Sequence, residues 1–242
     1  MIGVILAAGM AKRLRPLTDD RPKCLLKIGE RTLLQRTVDA IVAAGINEFV
    51  VVTGYRADMI RTFLNEHYPD LTFHFIHNAD YEHNNNIFSL WMTRPYTDGR
   101  EFLLSDSDIL FDPQIIPAVL NTEGNALALN RHELGEEEIK VIVDSDNRVT
   151  EISKVCSIQQ AIGESVGFEK MTAEYSTALF RELEQMIERE GLIDIFYERA
   201  FERLIPQGHT FKVVDTTTFF SYELDTPEDF ERAKELLPKE LQ

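Results

Sequence analysis

The sequence lacks the features that mark secreted, membrane and metal-cluster proteins. It has two cysteines, Cys24 and Cys156, and no Cys-x-x-Cys pair, so a disulfide framework is excluded and reduced thiols in a cytoplasmic protein are expected. No run of about 18 apolar residues predicts a transmembrane helix, and the N-terminus has no basic segment of the kind that begins a signal peptide. The six histidines show no metal-ligand spacing.

Positive charge is also scarce. With 25 Lys and Arg against 41 Asp and Glu, the net charge is −16, which argues against a nucleic-acid-binding protein because such proteins present a basic face. The exception is the segment 1–36, which holds eight of the 25 basic residues and three of the 41 acidic ones. A basic segment in an acidic chain indicates a local site for an anion.

The first half of the chain alternates between short apolar runs and amphipathic segments. Strands are predicted at 2–7, 48–54, 71–78 and 101–108, and helices at 32–45, 57–68 and 86–94. This alternation is typical of an α/β fold with a parallel sheet that is covered by helices on both faces.

The second half is predicted to begin with two strands within 139–153, joined by a turn at Asp144-Ser145-Asp146-Asn147. Further elements are expected as helices at 172–190 and 193–204, strands at 211–215 and 219–224, and a last helix with Thr226 as its N-cap and Pro227 in its first turn. No linker, repeat or low-complexity segment separates these elements, so residues 1–242 are predicted to form one domain.

Gly9 directly follows the first predicted strand. Ligands of an open α/β sheet bind beyond the carboxyl ends of the strands, so the backbone at Gly9 is placed to approach a phosphate. Arg13 offers several donors to phosphate oxygens, and Lys12 and Lys23 add positive charge. A solvated basic loop is the alternative explanation, since a short turn with one glycine is weakly specific.

Three aspartates are candidates for a metal site. Asp106 and Asp108 follow an apolar strand and, being two residues apart, face the same way if the strand continues. Asp225 precedes the N-cap of the last helix. Carboxylates at strand ends suit Mg²⁺, which prefers oxygen ligands. Turn formation and helix initiation are the alternative roles of these residues.

Consecutive asparagines precede the predicted helix at 86–94. One asparagine suffices as an N-cap. The amides of Asn85 and Asn86 and the hydroxyl of Ser89 are therefore available either to read the edge of a base or to hold a loop in place.

The segment 6–35 resembles the signature of the nucleotidyltransferases that make NDP-sugars and CDP-alcohols, L-A-A-G-x-G-x-R-L followed by P-K. The matching residues are Leu6, Ala7, Ala8, Gly9, Arg13, Leu14, Pro22 and Lys23. Ala11 stands where the pattern has glycine, and alanine disfavours positive φ. Asp108 and Asp225 resemble the two metal-binding aspartates of this family, and the motifs run in matching order along nearly the whole chain.

A second motif resembles one in the branch of this family that contains phosphocholine, inositol-phosphate and 2-aminoethylphosphonate cytidylyltransferases. The residues of the motif in this chain are Asn78, Tyr81, Asn85, Asn86, Ile87, Ser89 and Leu90. The sugar-nucleotide enzymes have a Glu-Lys-Pro motif, and the matching segment here is Ser153-Lys154-Val155. The lysine is retained, whereas the glutamate and the proline are not. The resemblance implies that Lys154 binds the acceptor phosphate and that Glu164 faces the acceptor. It also implies that Asp194 and Tyr197 are the acidic and the aromatic residue of a choline pocket. The alternative explanation of the segment 193–201 is a helix that packs in the core and binds no ligand.

The resemblance implies a nucleotide-diphospho-sugar transferase fold, which is a Rossmann-like, mixed but mostly parallel sheet flanked by helices, with a small β-rich insertion on the acceptor side. It further implies an NTP-binding part at about 1–112 and an acceptor-binding part at about 113–242. It implies Mg²⁺-dependent transfer of a cytidylyl group from CTP to a small phospho- or phosphono-alcohol such as phosphocholine or 2-aminoethylphosphonate. Arg13 and Lys23 would be catalytic, and Asp108 and Asp225 would hold the metal. The implied nucleotide-binding residues are Leu6, Ala7, Ala8, Gly9, Lys12, Arg13, Lys23, Asn85, Asn86, Ser89 and Asp106.

Two other functions are compatible with these residues. One is a sugar-1-phosphate nucleotidyltransferase that uses UTP, dTTP or GTP; the Asn-Asn-Ile-x-Ser-Leu stretch favours cytidylyl transfer over it. The other is a non-catalytic relative that senses nucleotides, against which the retained basic and acidic residues argue. Neither nucleic-acid binding nor membrane insertion is expected, and the protein is expected to be a cytoplasmic monomer or homodimer.

Overall fold

The computed structural model describes residues 1–241, which contain a nine-stranded sheet and two small two-stranded sheets. The strands are β1 (Ile2–Ala7), β2 (Lys27–Ile28), β3 (Arg31–Thr32), β4 (Glu48–Thr53), β5 (Thr72–His77), β6 (Phe102–Asp106), β7 (Ile109–Phe111), β8 (Ala126–Asn130), β9 (Lys140–Val143), β10 (Val149–Ser153), β11 (Gly163–Met171), β12 (Lys212–Asp215) and β13 (Ser221–Glu223). The α-helices are α1 (Leu33–Ala43), α2 (Ala57–His67), α3 (Asn86–Met92), α4 (Arg94–Thr97), α5 (Ile115–Leu120), α6 (Ala173–Glu184), α7 (Glu198–Leu204) and α8 (Pro227–Leu236). None of the described helices has the length and apolar character needed to cross a membrane.

The large sheet is mixed but mostly parallel. β5, β4, β1 and β6 lie side by side and parallel, and β11 runs antiparallel next to β6. β8 pairs with β11, β12 lies parallel beside β8, and β9 and β10 add a hairpin. Seven of the nine strands therefore run in one direction, which confirms the predicted sheet and brings their carboxyl ends to one edge.

β1 shows how the sheet is covered on both faces. All six of its residues are buried, and they point alternately to the two faces because side chains alternate along a strand. Ile2, Val4 and Leu6 belong to a core that includes side chains of α3, α6 and α7. Ile5 and Ala7 belong to a second core, with side chains of α1, α2 and α5. Burial on both faces explains why the strand is apolar throughout rather than alternating.

A smaller core holds the C-terminal helix against the start of the chain, with Phe230 of α8 packed near Leu14. α8 begins with a capping box: the N–H of Asp229 donates to Thr226 Oγ1, and the N–H of Thr226 donates to the Asp229 carboxylate. The N-cap predicted at Thr226 is thus confirmed. Because the cap fixes the start of the helix, it also fixes the residue before it, Asp225.

Most predicted elements are present with small shifts of their ends, but some differ. The helix predicted at 193–204 begins at Glu198, because the preceding turn is bonded to α3: the N–H of Asn85 donates to the Ile193 carbonyl at 2.9 Å. The strand predicted at 101–108 ends at Asp106. The helix predicted at 172–190 is α6 followed by a π-helical turn at 185–189. β8, β11 and α5 had no counterpart in the sequence prediction.

Candidate active site

A cavity of about 1130 Å³ opens where β1 and β6 end. All the predicted site residues except Asp194 and Tyr197 line it: Leu6, Ala7, Ala8, Gly9, Lys12, Arg13, Lys23, Asn85, Asn86, Ser89, Asp106, Asp108, Lys154, Glu164 and Asp225. Segments that are distant in the sequence therefore converge on one site, at the edge of the sheet where ligands of open α/β folds bind.

The two predicted metal-binding aspartates meet because β7 pairs with β13. Asp108 directly precedes β7, Asp225 lies two residues after β13, and the antiparallel register puts Glu223 opposite Ile109. The N–H of Leu224 also donates to the carbonyl of Asp108 at 3.3 Å. As a result, Asp108, Glu223 and Asp225 each offer a carboxylate oxygen within 4.8 Å of the other two.

Two basic side chains contact the aspartates of this carboxylate cluster. Lys23, which is 8% exposed, donates from Nζ to Asp108 Oδ2 and to Asp225 Oδ1, both at 3.1 Å. Arg13 donates to Asp225 Oδ2 at 2.6 Å. Burial lowers the pKa of Lys23, but the neighbouring carboxylates outweigh it and raise the pKa above its ordinary value. The ammonium group is therefore charged at neutral pH.

Glu223 completes the cluster from β13. Burial and the charges of Asp108 and Asp225 raise the pKa of Glu223 to about 8, because closely spaced carboxylates repel one another unless a cation lies between them. Carboxylate oxygens that converge from separate elements are the ligands that Mg²⁺ prefers. The residues present therefore fit a divalent cation.

Asp106 has different neighbours from Asp108, because the chain bends after β6. The Tyr197 hydroxyl donates to Asp106 Oδ2 at 3.1 Å. Gly167 of β11, with φ +75°, lies so close that a Cβ there would come within 2.8 Å of the same oxygen, so only glycine is tolerated. Burial and the nearby carboxylates raise the pKa of Asp106 well above its ordinary value.

The loop after β1 is open towards the cavity. A Cβ on Gly9 would meet nothing within 4 Å among the described residues other than its chain neighbours, so a ligand can approach its backbone. Ala11 adopts the left-handed conformation, with φ 45° and ψ 54°, and its carbonyl accepts a hydrogen bond from Thr18 Oγ1 at 3.0 Å. Alanine thus takes up a conformation that glycine adopts more easily.

Ala11→Gly should raise the free energy of unfolding by up to about 1 kcal/mol, because glycine adopts positive φ without the steric penalty of a Cβ. The greater freedom of glycine in the unfolded chain offsets part of the gain. Chemical denaturation measures the change, with Ala178→Gly in α6 as the contrasting variant, where glycine should lower stability by about 1 kcal/mol. An equal loss at both positions would contradict the left-handed conformation.

The asparagine run holds the segments around the cavity together. Asn85 caps α3, with its Oδ1 accepting from the N–H of Asn86 at 2.8 Å. Asn86 Oδ1 accepts from the N–H of Tyr197 at 2.9 Å, and Ser89 Oγ accepts from the buried Asn78 Nδ2 at 3.2 Å. These contacts account for the cap and for loop positioning; recognition of a base edge by the same residues stays a prediction.

The part of the cavity that is lined by His132, Glu137, Glu138, Lys154, Glu164, Phe196 and Glu198 is called the acceptor side below, after the role that the resemblance implies for Lys154 and Glu164. Lys154 Nζ donates to Glu137 at 3.1 Å and lies 4.6 Å from the ring centroid of the half-exposed Phe196. Glu198 is buried, burial raises its pKa to about 7, and one of its oxygens accepts no hydrogen bond from the described residues. An aromatic face beside carboxylates is an environment that suits a cationic group.

Asp194 and Tyr197, which the resemblance implied for the acceptor site, lie next to the lining residues rather than among them. Tyr197 is fully buried, and its hydroxyl contacts Asp106. Asp194 lies in the turn before α7. Their neighbours Phe196 and Glu198 line the cavity instead, because consecutive residues in a turn and a helix start point in different directions.

His132 joins the acceptor side from the loop after β8. Its Nδ1 lies 2.9 Å from the Glu133 carbonyl oxygen, and its Nε2 lies 2.8 Å from Glu164 Oε2. Both partners are acceptors, so both contacts are hydrogen bonds only when the imidazole is protonated. Burial lowers the pKa of His132, but these two acceptors outweigh it and raise the pKa above its ordinary value.

The His132–Glu164 pair should make stability depend on pH. Because the folded-state pKa of His132 is raised, the imidazolium stabilises the fold fully below the ordinary pKa of about 6.5, and this contribution is lost as the pH rises through the folded-state value. We expect the difference in Tm between the wild type and His132→Ala to be larger at about pH 6 than at about pH 9. The pH dependence should become smaller in the Glu164→Gln background, where only the Glu133 carbonyl still accepts from the imidazole. An equal difference in Tm at both pH values in the wild-type background would contradict the pairing.

Sequence reasoning missed several lining residues, among them His132, Phe196, Glu198 and Glu223. Glu223 carries a usable signal, since it lies two residues before Asp225 in a segment that alternates like a strand. His132 carries none, because a single histidine in a loop has no spacing to interpret.

Comparisons with known proteins show which family the chain belongs to. Residues 3–204 match the model of the MobA-like NTP transferase domain family. The chain is 28% identical over 149 residues to CTP:phosphoglutamine cytidylyltransferase of Campylobacter jejuni, which covers 60% of this chain and 53% of that protein. It is 28% identical over 239 residues to the bifunctional IPC transferase and DIPP synthase of Aquifex aeolicus, 98% of this chain and 51% of that protein. The chain thus spans about half the length of these two relatives.

Two solved structures share the fold. The CTP:phosphocholine cytidylyltransferase of Streptococcus pneumoniae has a TM-score of 0.79 at 19% identity, covering 98% of this chain and 99% of that chain. The inositol-1-phosphate CTP transferase of T. maritima has a TM-score of 0.78 at 24% identity, covering 98% and 97%. This similarity confirms the predicted nucleotide-diphospho-sugar transferase fold. Because the family match runs from β1 to the end of α7, the chain belongs to the MobA-like NTP transferase family, which confirms its resemblance to the nucleotidyltransferases.

Proposed function

We propose that this chain transfers a cytidylyl group from CTP to a small phospho- or phosphono-alcohol and releases pyrophosphate. The observation that carries the proposal is that the open loop at Gly9, the buried Lys23 and the carboxylates of Asp108 and Asp225 line one cavity together with the acceptor side. Relatives named CTP:phosphoglutamine, choline-phosphate and 2-aminoethylphosphonate cytidylyltransferase support CTP as the donor.

In the proposed reaction, an oxygen of the acceptor phosphate attacks the α-phosphorus of CTP. The new P–O bond forms as the bond from the α-phosphorus to the bridging oxygen breaks, and pyrophosphate leaves with the electron pair. The attacking oxygen is already ionised at neutral pH, so no general base is required. The protein contributes positioning and neutralisation of charge.

The basic residues would act on the triphosphate. Arg13 and the backbone at Gly9 would bind the β- and γ-phosphates, and Lys23 would offset the negative charge that grows at the α-phosphate. These same cations contact Asp108 and Asp225 in the structure, so the triphosphate would compete with the carboxylates for them. When bound by the two aspartates, Mg²⁺ would supply further neutralisation of phosphate charge.

The acceptor side favours a small phospho-compound that carries a cationic group. Lys154 would exchange its contact with Glu137 for the acceptor phosphate. The Phe196 ring and the carboxylates of Glu164 and Glu198 would then face an ammonium group. Phosphocholine and 2-aminoethylphosphonate carry both a phosphorus oxyanion and such a group.

An assay of pyrophosphate release tests the proposal. CTP, UTP, dTTP and GTP are each combined with phosphocholine, 2-aminoethylphosphonate, inositol phosphate or glucose-1-phosphate as the acceptor. We expect release to be fastest with CTP and an amine-bearing acceptor. Release with another NTP and the sugar phosphate would instead make the chain a sugar-1-phosphate nucleotidyltransferase. That alternative has a relative, the UTP–glucose-1-phosphate uridylyltransferase of Haloferax volcanii, at 30% identity over 115 residues. CTP binding without release from any pair would favour a nucleotide sensor.

A further inference from the structure

Two loops form a wall of the acceptor side. One connects β8 to β9 and carries Glu137 and Glu138, and the other follows β10 and carries Lys154. Both loops consist mainly of exposed and half-buried residues, so their own side chains bury little apolar surface to hold them in place. β9 begins between them with Lys140.

Lys140 is a buried lysine, only 2% exposed. Its Nζ donates to the carbonyl oxygens of Glu136 and Glu138, both at 3.2 Å, and to the carbonyl oxygen of Lys154 at 2.6 Å. An ammonium group has three donors, and all three are used. A buried charge is tolerated only when hydrogen bonds replace its hydration, and these three bonds do so. They also tie the backbones of both loops to one ammonium group.

The strand pairing makes that group a rigid anchor. The backbone of Lys140 pairs with Ser153 of β10 on one side and with Glu164 of β11 on the other. Lys140 therefore belongs to the sheet, while its side chain reaches the loops. Each loop gains a connection to the sheet that does not depend on its exposed side chains.

We propose that Lys140 is a positioning residue for the acceptor: it holds the backbones of 136–138 and of 154 so that Lys154, Glu137 and Glu138 face the cavity before the acceptor binds. The inference rests on the proposed function of the acceptor side. Affinity gains from such an arrangement because the loops need not be ordered during binding.

The test compares Lys140→Met with Lys170→Met. Lys170 is likewise a buried lysine, 5% exposed, and its Nζ donates to the backbone carbonyls of Leu120 and Thr122. It lies near the start of β6, at the end of the sheet opposite the cavity. Both substitutions remove a buried ammonium from carbonyl oxygens, so a general loss of stability should be common to the two variants.

At saturating CTP, Lys140→Met should lower kcat/KM for the acceptor by on the order of 10- to 100-fold, because a misplacement of binding groups by about 1 Å has effects of this size. The change should lie in the KM for the acceptor, while the KM for CTP should match that of Lys170→Met. Acceptor kinetics equal to those of Lys170→Met would overturn the proposal.

Proteolysis separates this inference from the proposed function. Cleavage by a Glu-specific protease after residues 136–138, located by mass spectrometry, should be several-fold faster in Lys140→Met than in the wild type or Lys170→Met, because local opening of the loop becomes easier. Inactivity of the wild type with every acceptor would refute the proposed function without changing this readout. Equal cleavage in all three proteins would refute the positioning role.

If Lys140→Met does not fold, Lys140→Gln, which keeps two donors, should show the same changes to a smaller extent.

Discussion

Asp108→Ala or Asp225→Ala should lower kcat by on the order of a hundredfold or more, because preorganised charge that stabilises the transition state is usually the largest contribution to such reactions. Each substitution removes one of the carboxylates that lie within 4.8 Å of one another and of Glu223. It also leaves Lys23 with one carboxylate partner instead of two. Steady-state kinetics over a Mg²⁺ titration measures the effect.

Asp112→Ala is the matched control for these variants. Its carboxylate accepts from the N–H of Gln114 at 2.9 Å, which is a turn contact, so its loss should change stability rather than kcat. Mn²⁺ binding followed by EPR gives a readout without turnover, and Asp108→Ala and Asp225→Ala should bind the ion more weakly than Asp112→Ala. Near wild-type turnover of either variant at saturating Mg²⁺ would contradict the metal assignment.

Lys23→Ala should lower kcat by on the order of a hundredfold and change the KM for CTP much less. The reason is that its proposed partner is the charge that grows at the α-phosphate in the transition state, and such interactions act on kcat rather than on ground-state binding. Burial and two contacts at 3.1 Å hold the ammonium beside the two aspartates before substrate arrives, so the positive charge is already present in the cavity where the triphosphate would bind.

The control for Lys23 is Lys27→Ala, since Lys27 is an exposed lysine on the nearby strand β2 and its loss should leave kcat unchanged. Thermal denaturation of Lys23→Ala with and without Mg²⁺ shows whether the protein is folded under the assay conditions. A rise in the KM for CTP with kcat unchanged would make Lys23 a ground-state binder of the nucleotide instead.

Local patterns predicted the parallel half of the fold. β1, β4 and β6 are apolar runs, and the alternation of such runs with amphipathic helices specifies a covered parallel sheet. The capping box at Thr226 and Asp229 was predictable in the same way, because its partners are three residues apart. These features depend on neighbours in the sequence.

β11 was not predicted although it lies in the middle of the large sheet. It contains Glu169 and Lys170, both buried, and charged residues in a segment normally indicate exposure. Lys170 is satisfied by the Leu120 carbonyl at 3.1 Å, which is fifty residues away in the sequence. Only contacts between distant segments make such a strand possible, so its own sequence does not identify it.

The sequence by itself determined which chemical groups this protein brings to its site: a basic loop after the first strand, Lys23, and the carboxylates of Asp108 and Asp225. The tertiary structure decided which groups meet. The pairing of β7 with β13 joins Asp108 to Glu223 and Asp225, and the turn before α7 directs Phe196 to the cavity. The physical reason is that the type of chemical group and its hydrogen-bonding capacity belong to a side chain, whereas its direction in space and its pKa depend on contacts between segments far apart in the chain.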